Sequence, residues 1–178
     1  SVTLDSGRLV VREEPPTSNV TVVTRLGRTN TATLTINGGE MFVTQLLAGE
    51  TVNPGVVRSR GNILMTGGLL TIASEFSVGD GISCTGVVQM TGGEIRALDQ
   101  GTNITRVGDH GRGELTVSNA AFHVGNMSVS RHTNSFGLVT LLNGGLLNAT
   151  DDLSIGRFGG STGTVFLAGG SLIDSNSP

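Results

Sequence analysis

The 178-residue chain has no tryptophan and no tyrosine, and six phenylalanines supply its whole aromatic content of 3%. An ordinary globular core draws much of its buried area from aromatic rings. A chain this poor in them must build its core from aliphatic side chains repeated in a regular packing. Lysine is missing too, so all 11 basic side chains are arginines. They are not clustered or interleaved with stacking aromatics, and a net charge of −3 with a pI near 5.5 leaves no surface suited to a polyanion. Nucleic acid is therefore not an expected partner. No run of 18 apolar residues occurs, so no segment reads as a membrane-spanning helix and no membrane insertion is expected. The single Cys84 forms no internal disulfide and says little about redox compartment. Residue 1 already lies in a strand pattern with no basic and apolar leader before it, so an exported form is expected to be the mature one.

What is plentiful is glycine, 28 residues of it, much of it doubled and spaced. A Gly-Gly pair or its remnant returns about every 25 to 30 residues, ending at Gly7, Gly39, Gly68, Gly93, Ala120, Gly145 and Gly170. Typical copies are Leu34-Thr-Ile-Asn-Gly-Gly39-Glu-Met-Phe-Val43 and Val88-Gln-Met-Thr-Gly-Gly93-Glu-Ile-Arg-Ala97. Five and three residues before the second glycine stand Val2/Leu4, Leu34/Ile36, Ile63/Met65, Val88/Met90, Leu115/Val117, Thr140/Leu142 and Val165/Leu167. Two and four residues after it stand Leu9/Val11, Met41/Val43, Leu70/Ile72, Ile95/Ala97, Phe122/Val124, Leu147/Ala149 and Leu172/Asp174. Side chains two apart share a strand face, so each copy predicts two strands with apolar inner faces and a tight glycine corner between them.

A third strand ending in an apolar residue and glycine follows in most copies, as in Leu26-Gly27, Phe76-Ser-Val78-Gly79, Val107-Gly108 and Leu153-Ser-Ile155-Gly156, with Met127-Ser-Val129-Ser130 as a variant. Three strands and three corners make one coil. The expected fold is all-β: a single-stranded right-handed parallel β-helix with three strands per coil and about six to seven coils, spanning 1–178 as one solenoid domain. At about 4.8 Å per rung the rod is on the order of 30 Å long. An antiparallel meander or sandwich would need turn signals every 8 to 12 residues or so and no fixed longer period. Two proline-containing stretches, 13–18 and 48–55, break the pattern and are expected as corner loops between the second and third strands of their coils.

The stretch Leu153-Ser-Ile-Gly-Arg-Phe-Gly-Gly-Ser-Thr-Gly-Thr-Val-Phe-Leu-Ala-Gly-Gly-Ser-Leu172 resembles the unit of bacterial proteins with autotransporter-associated β-strand repeats; residues 78–95 and 107–124 match it less fully. The resemblance implies a secreted or surface-displayed protein and a β-solenoid, and it implies little about activity. No barrel or anchoring segment supports an autotransporter mode of export for this chain.

Neither outer coil shows a capping element. The first has its core pattern complete from Val2, and the last pattern stops near Ile173, after its second strand. Open rungs expose apolar side chains and unpaired backbone groups, so Val2, Leu4, Leu9, Val11, Val165, Leu167, Leu172 and Ile173 are the expected subunit-stacking residues, whether the continuation is more of an array or another copy. Of the outward positions, Leu141 and Phe166 are candidates for lateral contact.

Asn-x-Ser/Thr triplets at Asn19, Asn103, Asn126 and Asn148 are candidate glycosylation sites, the first three just before a third strand. The residue after the third-strand glycine is charged in Arg28, Asp80, Asp109, Arg131 and Arg157, which stacking would place in one column, normally a solvated edge. Gly79-Asp-Gly81 and Asp109-His-Gly-Arg-Gly113 lack the recurring Asp of a glycine-rich calcium nonapeptide, so no metal site and no cofactor are expected. Asp151 and Asp152 are adjacent and face opposite ways on a strand, and His110, His123 and His132 assemble no nucleophile, base and orienting group. An enzyme is not expected. The expected function is a structural, extracellular or cell-surface filament subunit whose partner is another copy of itself, with surface polysaccharide or covalent glycan as a further partner; the alternative is an adhesin-like module using loops 13–18 and 48–55.

Overall fold

The computed structural model describes residues 1–11, 22–51, 58–97 and 104–175. Among them there is no helix, only twenty strands. The first coil contains β1 (Val2–Leu4), β2 (Arg8–Val11) and β3 (Val23–Leu26), the second β4 (Thr31–Ile36), β5 (Glu40–Val43) and β6 (Gln45–Ala48). Next come β7 (Arg60–Met65), β8 (Leu69–Ile72) and β9 (Phe76–Val78), then β10 (Thr85–Met90), β11 (Glu94–Ala97) and β12 (Thr105–Val107). The series continues with β13 (Arg112–Ser118), β14 (Ala121–Val124), β15 (Met127–Val129), β16 (Phe136–Leu142), β17 (Leu146–Ala149), β18 (Leu153–Ile155), β19 (Thr162–Ala168) and β20 (Ser171–Asp174). Every third strand belongs to the same parallel sheet, which gives sheets of seven, seven and six strands and a three-sided β-solenoid.

The period-two pattern positions the core. Leu34, Ile36, Ile63, Met65, Val88, Met90, Leu115 and Val117 point inward from the first sheet, and Met41, Leu70, Ile72, Ile95, Phe122 and Leu147 from the second. Leu46, Phe76, Val78, Val107, Met127 and Val129 close the third side. Phe76 and Phe122, both fully buried, stack across the lumen with ring centroids 5.9 Å apart, so these two rings serve as central filler.

Two expectations require correction. In β16 the inward residues are Val139 and Leu141, both fully buried, rather than Thr140 and Leu142. Register pairs Val139 with Leu115 and Val165, and Leu141 with Val117 and Leu167. The corner here holds one extra residue: Asn143 (φ 41°) and Gly144 (φ 75°) form a two-residue turn closed by Gly145 N–H donating to Leu142 O at 2.7 Å. Consecutive positive φ values favour Asn-Gly, and the insertion shifts the inward set by one. Leu141 is therefore a core residue, with no lateral surface to offer. Second, 45–48 is the third strand of its coil, so 48–55 begins at the end of that strand and follows it, instead of lying between strands two and three.

Close backbone approach is not confined to the Gly-Gly pairs; it recurs at the third corner. There, Ala32, Gly61, Gly86, Gly113, Gly137 and Gly163 stack in register. A Cβ on Gly86 would lie 2.3 Å from Gly79 N and 2.4 Å from Ala48 O, the two atoms of the 2.8 Å hydrogen bond that joins successive third strands. Gly113 lies in the same way over the Gly108 N–H to Val78 O bond of 2.7 Å. At Gly86 and Gly113 glycine is required because only a hydrogen atom fits above that bond.

Candidate functional site

The densest polar cluster stands on the outer surface of this third corner. Backbone bonds from Glu50 N to Gly27 O, Asp80 N to Gly49 O, Asp109 N to Gly79 O, Arg131 N to Gly108 O and Arg157 N to Ser130 O stack one residue of each coil into a column. The column expected from Arg28, Asp80, Asp109, Arg131 and Arg157 is thus real. It also contains Glu50, which the sequence reading missed; Ala48-Gly49-Glu50 repeats the apolar, glycine, charged form of Leu26-Gly27-Arg28, and only the misplaced third strand concealed it.

Glu50 pairs with Arg25 at 2.7 Å, and Ser77 Oγ donates to Asp80 Oδ1 at 3.0 Å. Arg106, outward on β12, pairs with Glu75 and lies 3.7 Å from Asp109. Asp109 is the centre. Its side chain is 7% exposed, its Oδ2 meets His110 Nδ1 at 3.0 Å, and its Oδ1 lies 3.6 Å from His132 Nε2 and 3.8 Å from Arg131. Oδ1 is buried and accepts no hydrogen bond. His110 and His132 occupy equivalent places in consecutive coils, because His132 N–H donates to Asp109 O at 3.0 Å. Their rings stack at 3.9 Å, and Phe158 extends the stack at 5.6 Å from His132. Burial holds the His132 imidazole below its ordinary pKa, against the pull of Asp109. Burial likewise lowers Arg131, with Arg106 adding to the effect. A groove of about 540 Å³ beside His110 is lined by Arg58, Ile82, Arg112 and Phe136. A smaller one of about 270 Å³ reaches Glu50, Asp80 and Asp109.

Other charged side chains pair across the outer faces. Glu94 bonds Arg96 at 2.6 Å, which lowers the Glu94 pKa, and Arg112 bonds Glu114 at 2.5 Å while lying over the Phe136 ring. Such exposed pairs contribute little to stability.

The expected stacking residues fall on the two outer rungs. Leu4, Leu9, Val11, Val165 and Leu172 pack partly against the core, while Val2, Leu167 and Ile173 are exposed. Ile173 and Phe166 face outward, paired with Asn148 and Thr140. Asn126 precedes β15 and donates to Asp151 Oδ2 at 3.0 Å; Asn148 is half-buried on β17. Asn19, Asn103 and residues 13–18 lie outside the described residues, as do 52–55 of the second loop. No family model, no curated protein and no solved structure matches the chain.

Proposed function

We propose that the chain is a non-enzymatic structural unit of an extracellular filament or surface fibre, extended by head-to-tail stacking of its coils onto another copy. The observation that supports this reading is the apolar surface on the outer rungs. Leu167 is 49% exposed, whereas Leu141, its counterpart one coil inward, is fully buried. Ile155 and Val129 show the same contrast, at 48% and 0%. Val2 is 52% exposed at the opposite end. Extending the register of the sheets sets Val165 against Val2, Leu167 against Leu4 and Leu172 against Leu9 of the next copy, apolar against apolar. The two surfaces differ, so the contact is heterologous and non-closing, which makes a filament. The extracellular placement rests on the resemblance of 153–172 to secreted repeat proteins.

Asp174 opposes this contact and tunes it. It takes the inward position that Ala149 fills one coil earlier, and the extended register sets it against Val11. An inward-pointing charge on an edge strand discourages addition of another strand. Electron microscopy and sedimentation of the purified chain test the reading. Fibres of uniform width are expected, lost in Leu172→Arg and lengthened in Asp174→Val. Strictly monomeric rods at high concentration, in Asp174→Val as well as in the unaltered chain, would overturn it.

A further inference from the structure

We propose that Asp109, His110 and His132 form a binding site for one divalent transition-metal ion of the zinc(II) type, linking two consecutive coils. One ligand atom from each of the three side chains lies within 4.8 Å of the others. Four donors arranged tetrahedrally at about 2.0–2.1 Å from an ion stand about 3.3 Å apart. His132 Nε2 lies 3.6 Å from Asp109 Oδ1, close to that spacing, and His110 Nδ1 lies 3.0 Å from the other oxygen of the same carboxylate, Oδ2. Closing the site takes rotation of the two rings out of their parallel stack, so that their lone pairs converge.

A second observation points to a ligand independently of the histidines. Asp109 Oδ1 is buried without a hydrogen bond, in a side chain only 7% exposed. Arg106 at 3.7 Å and Arg131 at 3.8 Å offset the charge of Oδ1 without bonding it; a buried carboxylate oxygen lacking a direct bond is costly, and a metal ion supplies that bond. The imidazoles are 44% and 36% exposed, which leaves the remaining coordination position open to water. Two imidazoles and one carboxylate suit zinc, cobalt, nickel or copper in the divalent state; calcium and magnesium call for an all-oxygen shell. Arg106 and Arg131 flank Asp109, with Arg157 in the next coil. Glu75, Asp80 and Asp109 match them in number, so the cluster is neutral before binding with both histidines uncharged. Such a site binds less tightly than a closed four-ligand structural zinc site.

Titration calorimetry of the intact chain with zinc(II), and visible spectra with cobalt(II), test the proposal. One ion per chain and the absorption bands of tetrahedral cobalt are expected, with no competition from calcium. Removal of a ligand should weaken binding roughly tenfold or more, in His132→Gln, Asp109→Asn and, as a more exposed position that the fold tolerates, His110→Gln. The chain has three histidines, and His123→Gln should leave binding unchanged. Far-ultraviolet circular dichroism checks that each variant keeps its β structure. No saturable zinc binding below about 1 mM, or binding unaltered in folded His110→Gln and His132→Gln, would overturn the site.

Discussion

Replacing Gly86 by alanine exchanges one hydrogen for a methyl group in a chain of 178 residues, and the third corner predicts that this destabilises the solenoid severely. The new Cβ would stand 2.3 Å from Gly79 N, 2.4 Å from Ala48 O and 2.8 Å from Val78 C. All three are backbone atoms, so no rotamer change relieves the overlap. Nor can β10 move away freely, because β7 and β13 hold it in register on both sides. The accessible relief is to part Gly79 N–H from Ala48 O, whose bond is 2.8 Å long. Leaving a buried donor and acceptor unsatisfied costs about 1–3 kcal/mol for each group, and overpacking alone typically costs about 1–3 kcal/mol. Since partial relaxation trades one penalty against the other, the expected loss is about 3–5 kcal/mol. For a chain of this size that lowers the melting temperature by roughly 6–20 °C. Gly159 is the control: its added Cβ meets nothing within 4 Å, so Gly159→Ala is neutral or stabilising by about 0.4–1 kcal/mol. Thermal unfolding followed by circular dichroism compares the two. Melting of Gly86→Ala within about 2 °C of the unaltered chain, a change of less than about 1 kcal/mol, would refute the claim that glycine is sterically required at this corner.

Phe122→Ala removes a fully buried ring that stacks on Phe76, and a loss of about 3–5 kcal/mol is expected in urea unfolding; a loss below about 1 kcal/mol would mean that the lumen is loosely packed. Burial pushes the Cys84 thiol up to about 11, with Sγ held against Gly49 O and Gly81 O at 2.6 and 2.7 Å. Its folded-state pKa is raised, so its contribution is intact below the unfolded value near 9 and lost as pH climbs toward 11. Stability should fall over that window less steeply in Cys84→Ala, and a disulfide reagent at pH 8 or thereabouts should label the thiol promptly only after denaturation.

The repeat was legible because a three-sided coil imposes the same demands on every rung. Leu34, Ile63, Val88 and Leu115 are inward in four successive coils because period-two alternation places them on one face and parallel stacking aligns that face. Where one residue is inserted, as at Asn143-Gly144, counting back from the doubled glycine misplaced Leu141. Turn conformation settled it: two consecutive positive φ values consume an extra residue without disturbing the ladder on either side. The third strand at 45–48 escaped because Gln45-Leu-Leu-Ala48 does not alternate. Leu47 points outward on that strand yet is 7% exposed, so both faces read as apolar.

The site was less legible than the fold. His110 and His132 are 22 positions apart in a chain whose repeat is longer in most copies, and no local motif joins them. The amino-acid sequence by itself determined that there would be coils, what fills them and where the doubled glycines turn, since all three follow from short-range alternation and backbone permissiveness. Tertiary structure decided which glycines carry a close approach, which charged side chains share a column and that two imidazoles meet over one buried carboxylate. Those relations depend on the length of the intervening corners, which sets rung-to-rung register and leaves no mark on the local pattern of either strand.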